Sequence, residues 1–534
     1  MSESERREGL TRKQLLGAGA GVAAGALLGQ SGVERALGAA KGGGKSAAGM
    51  NVILFLTDQE RAIQQFPPNW MRENLPGMRR LRRHGVSFES ATCNACMCSP
   101  SRSTLMTGNF PAQHGVKYTL EEDMSPANGN PQVELPLPGT MPNLATMMKA
   151  AGYNPVYKGK WHCAKPQEKE HDTPADLERY GFLRWNPPDA GANQSVPQAA
   201  GGYVDNDGRF VDSKGEVAAG AEGTLEYLGS AAAQQQPFFL VISLVNPHDV
   251  LFYPSKTFAE AGYDETWLEG EMEVPETWEE DLATKPKVQE QFLRIFNLTG
   301  MPENKAEVRK YLNFYGNLMR SSDNYLVDVL NKLEETDLFD NTLIVRTSDH
   351  GEMGLSHGGL RQKNFNFYEE TLKVPLVYSN PKLFPRPQQS DALVSHVDLL
   401  PTLAGLVKAP ASFASSCQGV DYSATVLNPK TAPEPQDYTV FTYDDYQSGQ
   451  AKGPYPRGAN HIVSLREKRW KLAKYYSPEG KHPPEWEMYD LREDPNEEVN
   501  LAAKGFKRSA GQEAQFLRLK KKLARVESKR LQPA

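Results

Sequence analysis

The sequence predicts an α/β protein whose parallel strands deliver polar groups to one sheet edge, followed by a strand-rich C-terminal region. Three observations predict it. Apolar runs close on chemistry-bearing residues: Asn51 to Thr57 ends on Asp58, Phe238 to Val245 runs into Asn246-Pro247-His248-Asp249, and Thr342 to Val345 leads through Arg346-Thr347-Ser348 to Asp349-His350. Such runs suit strands buried on both faces of a parallel sheet, and ligands collect at the C-terminal ends of such strands. Between the second and third runs, Tyr311, Phe314, Tyr315, Leu318, Ser322, Tyr325, Leu326, Val329 and Leu333 recur at i, i+3, i+4 spacing, as a core-facing crossover helix requires. From about Pro429 the pattern becomes the period-two alternation of strands, in Val463 to Arg466 and Trp470 to Tyr475.

With 534 residues the chain exceeds a single core, so two or more packing units are expected. A formal net charge of −6 argues against a nucleic-acid surface, although Lys and Arg cluster near the C-terminus. That tail reads as a solvated helix face around Phe516, Leu517 and Leu519 to Lys522. Residues 1–40 read as a targeting segment outside the fold: Thr11-Arg12-Lys13-Gln14-Leu15-Leu16 precedes a Gly/Ala-rich stretch through Gly29, and Ala36 to Ala40 offers small residues for cleavage. The segment resembles a twin-arginine export signal, with Lys13 where the second arginine would stand, which implies export to the periplasm or the cell exterior. Short and glycine-rich, it does not suit a stable membrane span.

Five cysteines do not make a disulfide framework in a chain of this length. Cys93, Cys96 and Cys98 have the look of a C-x-x-C-x-C metal cluster, but a fourth ligand at suitable spacing is missing. Cys163 and Cys417 are isolated and read as small buried residues. Cys98 heads a longer run, Cys98-Ser99-Pro100-Ser101-Arg102-Ser103-Thr104-Leu105-Met106-Thr107-Gly108. This resembles the sulfatase signature C-x-P-S-R-x-x-x-x-T-G. The resemblance implies that a formylglycine-generating enzyme oxidises Cys98 in the unfolded chain, and that the hydrated aldehyde attacks a sulfate ester. A sulfate ester is a stable monoanion, so its hydrolysis needs a strong oxygen nucleophile, charge neutralisation on the sulfuryl oxygens and a proton for the leaving group. Pro100 would fix a turn, and Arg102 would supply a permanently protonated cation near the nucleophile.

Gly152-Tyr153 followed by Lys158-Gly159-Lys160-Trp161-His162 resembles a second sulfatase signature, G-Y-x-T-x-x-x-G-K-W-H, with Pro155 at the usual threonine. By that resemblance Lys160 steadies the nucleophile and a sulfate oxygen. His162 contacts the second hydroxyl and acts as the base that collapses the covalent intermediate, a task for a near-neutral pKa. His248 and Lys363 fall where sulfatases place the groups that bind sulfate and protonate the leaving oxygen. Lys363 lies in Gly358-Gly359-Leu360-Arg361-Gln362-Lys363, ahead of Tyr368-Glu369-Glu370 and Lys373-Val374-Pro375-Leu376. His357 reads as a loop or substrate contact, while His396 and Asp398 are expected to cap the next helix.

The metal ligands implied are Asp58 and Asp349, hard carboxylates at strand ends matched across a long separation, together with His350 and position 98. Sulfatases carry two aspartates after the first strand, whereas this chain has Asp58-Gln59, and Gln59 could ligate through its amide oxygen. His350 stands where many sulfatases have asparagine. Calcium is the first choice by family, and the imidazole shifts weight toward manganese or another transition ion. A similar Asp-Gln plus Asp-His arrangement occurs in related phosphonate monoester hydrolases, so a phosphonate monoester or phosphodiester hydrolase is the alternative reading.

The stretches from about Pro187 to Gly208 and from about Tyr263 to Pro302 lack periodicity and read as long loops, candidate substrate walls. Trp486-Glu487-Met488-Tyr489-Asp490-Leu491, with Asp494-Pro495-Asn496-Glu497 and Asn500-Leu501 after it, resembles the C-terminal ending of sulfatases. The implied organisation is an export signal at 1–40, a catalytic domain at 50–430 and a C-terminal subdomain with a helical tail at 431–534. The implied fold is an alkaline phosphatase-like α/β sandwich with a large central mixed sheet and a smaller antiparallel C-terminal subdomain. The implied substrate is a small-molecule or saccharide sulfate ester.

Overall fold

The computed structural model describes residues 45–62, 65–120, 134–165, 172–187, 189–190, 207–213, 221–297, 300–450 and 453–533. The segment at 1–40, expected to be an export signal, and most of the stretch from Pro187 to Gly208 lie outside the described residues.

The first apolar run folds as β1 (Asn51–Asp58), buried along its whole length. In chain order follow β2 (Gly85–Phe88), β3 (Ala91–Thr92), the helix α1 (Cys98–Thr107), β4 (Asn154–Gly159), β5 (Phe238–Pro247), α2 (Lys287–Asn297), α3 (Lys305–Glu335), β6 (Thr342–Ser348), β7 (Leu376–Ser379), β8 (Gln388–Ser390), β9 (Val394–Ser395) and α4 (Leu399–Val407). The C-terminal part adds β10 (Thr439–Tyr443), β11 (His461–Arg466), β12 (Trp470–Tyr476), β13 (Glu485–Asp490) and α5 (Ala510–Arg530), and shorter helices and turns lie between these elements.

Seven strands make the main sheet, in the order β4-β5-β1-β6-β7-β2-β8. The first four are mutually parallel, β7 runs antiparallel to β6 and β2, and β8 is parallel to β2. The expected mixed sheet is therefore present. Its register places the chemistry: Asp58 pairs with Pro247, Thr57 with Ser348, and Gly159 with Ser243, so the segments carrying Asp58, His248, Asp349 and Lys160 leave the sheet at one edge. The pleat splits β1 between two cores. Val52, Leu54 and Leu56 pack with Leu105 and Met106 of α1 and Leu399, Leu400 and Leu403 of α4, while Ile53 and Phe55 pack with α3. α3 buries the predicted stripe of Tyr311, Phe314, Tyr315, Leu318, Ser322, Leu326, Val329 and Leu333. Its start is fixed by Asn304, whose side chain accepts from the backbone N–H of Ala306 and Glu307.

Two expectations need correction. The stretch from Tyr263 to Pro302 is not one loop: it contains short 3₁₀ turns and the eleven-residue helix α2. Val288 and Phe292 lie one turn apart and pack with Phe365, Tyr475 and Tyr489, a tertiary contact that decides the local structure despite the acidic, Pro-containing surroundings. The tail is also more than a solvated face. Leu517 is 58% exposed, but Leu519, Leu523 and Val526 of α5 are buried against Val463, Leu465, Leu472 and Met488 of the C-terminal sheet.

That sheet is antiparallel, in the order β10-β11-β12-β13. Its other face supplies Phe441, Ala473, Tyr475 and Tyr489 to a core shared with Phe365, Phe367 and Tyr368. Ser46–Ala534 accordingly packs as one compact unit.

Candidate active site

Cys98 opens α1, and all ten residues of that helix are buried. The preceding Met97 has φ 69, a reversal that turns the chain sharply into the helix. Within the motif each polar residue has a separate task. Ser99 Oγ accepts from the N–H of Leu120 at 3.0 Å, and Ser101 Oγ donates to the carbonyl of Asp349. Arg102, wholly buried, donates from Nε to Asp349 Oδ2 at 2.9 Å and from Nη2 to Asp58 Oδ2 at 3.1 Å. Its Nη1 donates to the carbonyl of Lys160 and to Ser243 Oγ, both at 2.8 Å. Arg102 thus locks together the ends of β1, β4, β5 and β6. The planar fork of guanidinium donors makes such a fourfold tie possible.

Lys160 Nζ lies 2.7 Å from the same Asp58 Oδ2. Burial raises the Asp58 carboxyl, but Lys160, His248 and Arg102 outweigh it and hold the group well below the usual carboxylate range. With the Oδ2 atoms engaged, Asp58 Oδ1 is left 3.5 Å from Cys98 Sγ and 3.8 Å from His350 Nε2. Asp349 Oδ1 accepts from the N–H of Gln59 at 3.0 Å and of His350 at 2.9 Å, and lies 3.7 Å from His350 Nε2. His350 Nδ1 is 3.0 Å from the carbonyl of Gly351, so the proton belongs on Nδ1 and the Nε2 lone pair faces the carboxylates. Donor atoms of Asp58, Cys98, Asp349 and His350 all fall within 4.8 Å of one another. Two carboxylates, an imidazole lone pair and position 98, all buried, fit a divalent cation. Burial and the Asp58 carboxylate push the Cys98 thiol up to about 12.

Gln59 is occupied differently from the ligating option. Its Oε1 accepts from Lys363 Nζ at 2.5 Å and its Nε2 donates to Glu352 Oε2 at 2.5 Å. Glu352 Oε1 in turn accepts from Tyr311 OH at 2.7 Å and from the N–H of Gln362 at 2.9 Å. Lys363 therefore enters the site on a relay that begins on α3.

His162 sits at φ 55 just beyond β4, where its own N–H and that of Trp161 donate to Asp189 at 2.6 and 2.7 Å. Its Nε2 is 2.5 Å from the carbonyl of Leu120, and its Nδ1 has no hydrogen-bond partner among the described residues. The Nε2–H tautomer follows, with a lone pair on Nδ1. Burial, then Lys160 and Arg102, hold the imidazole well below its ordinary value and not near neutrality as expected, so it is neutral and a weaker base than a free imidazole. His248 follows β5 directly, and its Nδ1 likewise has no hydrogen-bond partner among the described residues. Burial lowers its basicity against the pull of Asp58.

The structure separates the remaining candidates from this pocket. Cys93 and Cys96 donate from Sγ to the carbonyls of Thr371 and Lys363 and lie outside the ligand group. His357 Nδ1 is 2.6 Å from Glu280 Oε2, its Nε2 is 3.6 Å from Glu370, and its ring stacks on Tyr368 at 3.7 Å, so it is a buried structural cation. Asp398 stands at the N-cap position of α4 but, against expectation, its side chain does not cap that helix: it accepts from Ser395 and Val420 N–H instead, at 2.8 Å each. His396 does not cap; it lies 3.3 Å from Ser101 Oγ, behind α1. Asp189, Ser243 and Glu352 were not foreseen, because they serve backbone groups or other side chains and belong to no spaced motif.

The sulfatase family model matches residues 50–409, and that of the N-sulphoglucosamine sulphohydrolase C-terminal region matches residues 357–529. An ulvan-active sulfatase of Formosa agariphila is 26% identical over 460 residues, covering 85% of this chain and 77% of its own length. An N-acetylglucosamine-6-O-sulfatase of Bacteroides thetaiotaomicron is 25% identical over 515 residues, covering 85% and 83%. Among solved structures, a 2-O GAG sulfatase superposes with a TM-score of 0.66 at 22% identity, over 90% of this chain and 92% of the other. A phosphonate monoester hydrolase from Silicibacter pomeroyi superposes with 0.62 at 20% identity, over 90% and 96%. Structural likeness at such identities carries the fold, and the family match over residues 50–409 carries the rest: the chain belongs to the sulfatase family of the alkaline phosphatase superfamily and is a sulfuric ester hydrolase.

Proposed function

We propose that this enzyme is exported, by the twin-arginine route, and hydrolyses sulfate esters of saccharides with a formylglycine made from Cys98 by a formylglycine-generating enzyme. One divalent ion, calcium before manganese, would be held by Asp58, Asp349, His350 and position 98. The observation that carries this reading is the convergence of those four donor groups within 4.8 Å at the start of the helix that bears the complete signature. The saccharide part rests on relatives named for ulvan and for N-acetylglucosamine sulfate.

In such a site the ion would draw negative charge from the sulfuryl oxygens. The modified residue would supply two hydroxyls on one carbon, one to attack and one to lose a proton. The chain's own residues account for the remaining steps. Arg102 and Lys160 hold Asp58 in place, and Arg102 also holds Asp349, so no reorganisation is needed as charge moves to the leaving oxygen. Lys160 also brings a positive charge beside position 98. His162, neutral and with its Nδ1 lone pair available, takes the proton whose loss releases sulfate. His248 binds the sulfate group, and Lys363, aimed by Gln59, protonates the leaving oxygen.

Co-expression with the modifying enzyme should give a Cys98 peptide about 18 Da lighter than the thiol form, and turnover should scale with that fraction. Full activity with an unmodified thiol would overturn the reading. Rates on aryl and saccharide sulfates should exceed those on phenylphosphonate esters; the reverse order would favour the phosphonate alternative suggested by Asp58-Gln59 and Asp349-His350.

A further inference from the structure

Two segments at the sheet edge, the stretch just after β4 and the end of β5 that turns into His248, are each held by a carboxylate from elsewhere in the chain. Asp189 accepts from the consecutive N–H groups of Trp161 and His162, at 2.7 and 2.6 Å, where His162 is in the left-handed region. Asp207 does the same for Val245 and Asn246, at 2.7 and 3.0 Å, immediately ahead of Pro247-His248. Both carboxylates are buried, as is Arg209, whose guanidinium lies 4.4 Å over the Phe210 ring. Burial brings Arg209 down to about 10, with Asp207 and Asp189 acting in the opposite direction. The three segments also meet through apolar atoms: Ala190, Phe210 and Val245 form a small cluster of their own.

We propose that Asp189, Arg209 and Asp207 form one positioning unit that holds the turns carrying His162 and His248 at a fixed separation. Gly159 lies three residues before His162 and Pro247 belongs to the other segment, so neither sets the backbone at His162 itself, where a non-glycine left-handed residue costs about 1 kcal/mol or more unless its surroundings hold it. One carboxylate taking two successive N–H groups does so, and a buried cation two residues after Asp207 would lessen the cost of burying the carboxylates. The proposal deepens the functional reading above and rests on the roles given there to the two histidines.

Hydrogen exchange of the protein with unmodified Cys98 tests the unit without reference to turnover. Asp189→Ala should raise exchange in the peptide 158–163 by about tenfold or more, Asp207→Ala in 243–249, and Arg209→Met in both, with β11 and β12 unchanged. In modified enzyme, Asp189→Ala should lower kcat on an aryl sulfate about tenfold or more with KM little changed. Asp189→Asn, which keeps one acceptor, should recover part of the loss. On a His162→Ala background the further loss from Asp189→Ala should be less than about twofold, since both act through one side chain. If Asp189→Ala does not fold, Asp189→Asn carries the same comparisons. Exchange rising uniformly across the protein, an Arg209→Met effect confined to one turn, or losses that multiply on the His162→Ala background would overturn the proposal. Unchanged turnover in His162→Ala alone would instead refute the role of that histidine, while the exchange result still decides the unit.

Discussion

At the residue scale, single side chains in this protein hold several partners at once, and pH reaches the ones that titrate. His357 is the clearest case. Burial opposes its charge, but Glu370 and Glu280 win and push the imidazole up to about 9. A folded value above the unfolded one of about 6.5 means the protonated form stabilises the fold, fully below pH ~6.5 and no longer once pH has risen through ~9. The gap corresponds to about 3 kcal/mol. His357→Gln should therefore lose up to that amount of pH-dependent stability at pH 6, and the difference from the parent should shrink to its packing part near pH 10, as read from urea unfolding at each pH. A difference independent of pH would refute the charged His357. The same scale shows what a sequence discloses. Asp58, Cys98, Lys160, Asp349 and His350 were legible because strand ends and signature spacing mark them. Asp189 and Glu352 were not, since a carboxylate that accepts from distant N–H and amide groups leaves no local pattern.

At the element scale, the close approach of β4 and β5 sets the position of Lys160. Gly159 has φ 103, and a Cβ there would lie 1.9 Å from the carbonyl oxygen of Ser243, its partner on β5. That same oxygen accepts from the N–H of Lys160 at 2.9 Å. Gly159→Ala should therefore force the strands apart, destabilising the protein by about 3 kcal/mol or more and lowering turnover. Gly152→Ala is the matched control, with φ 89 but nothing within 4 Å of the added carbon, and should cost only about 1 kcal/mol. Equal effects in the two variants would remove the steric argument. Long elements such as β1, β5, β6 and α3 were readable because seven or more consecutive residues keep one pattern. Short strands such as β2, β7 and β8, and the helix α2, owe their form to partners far along the chain.

At the scale of the whole molecule, the C-terminal sheet lies between two apolar layers, one shared with the catalytic part and one made by α5. Leu523→Ala opens the second layer and should cost about 2–5 kcal/mol. Because the first layer is common to both parts, activity and tryptophan fluorescence should still be lost along a single curve in urea. Two separated transitions would show that the sheet folds alone. The change of pattern near Pro429 announced this second sheet, but no period in one segment can report which other segment it packs against. The burial of Cys98 has a further meaning once the chain is considered as it is made. Two of its shields, Asp349 and His350, belong to a segment about 250 residues later, with His350 separated from Cys98 by 252 positions. At about 5–20 residues per second a ribosome needs roughly 12–50 s to cover that distance. Until the strand bearing Asp349 has been synthesised, the nascent chain cannot close over the cysteine, so the time available for its modification is metered by translation, and pauses or rare codons between the two positions would lengthen it.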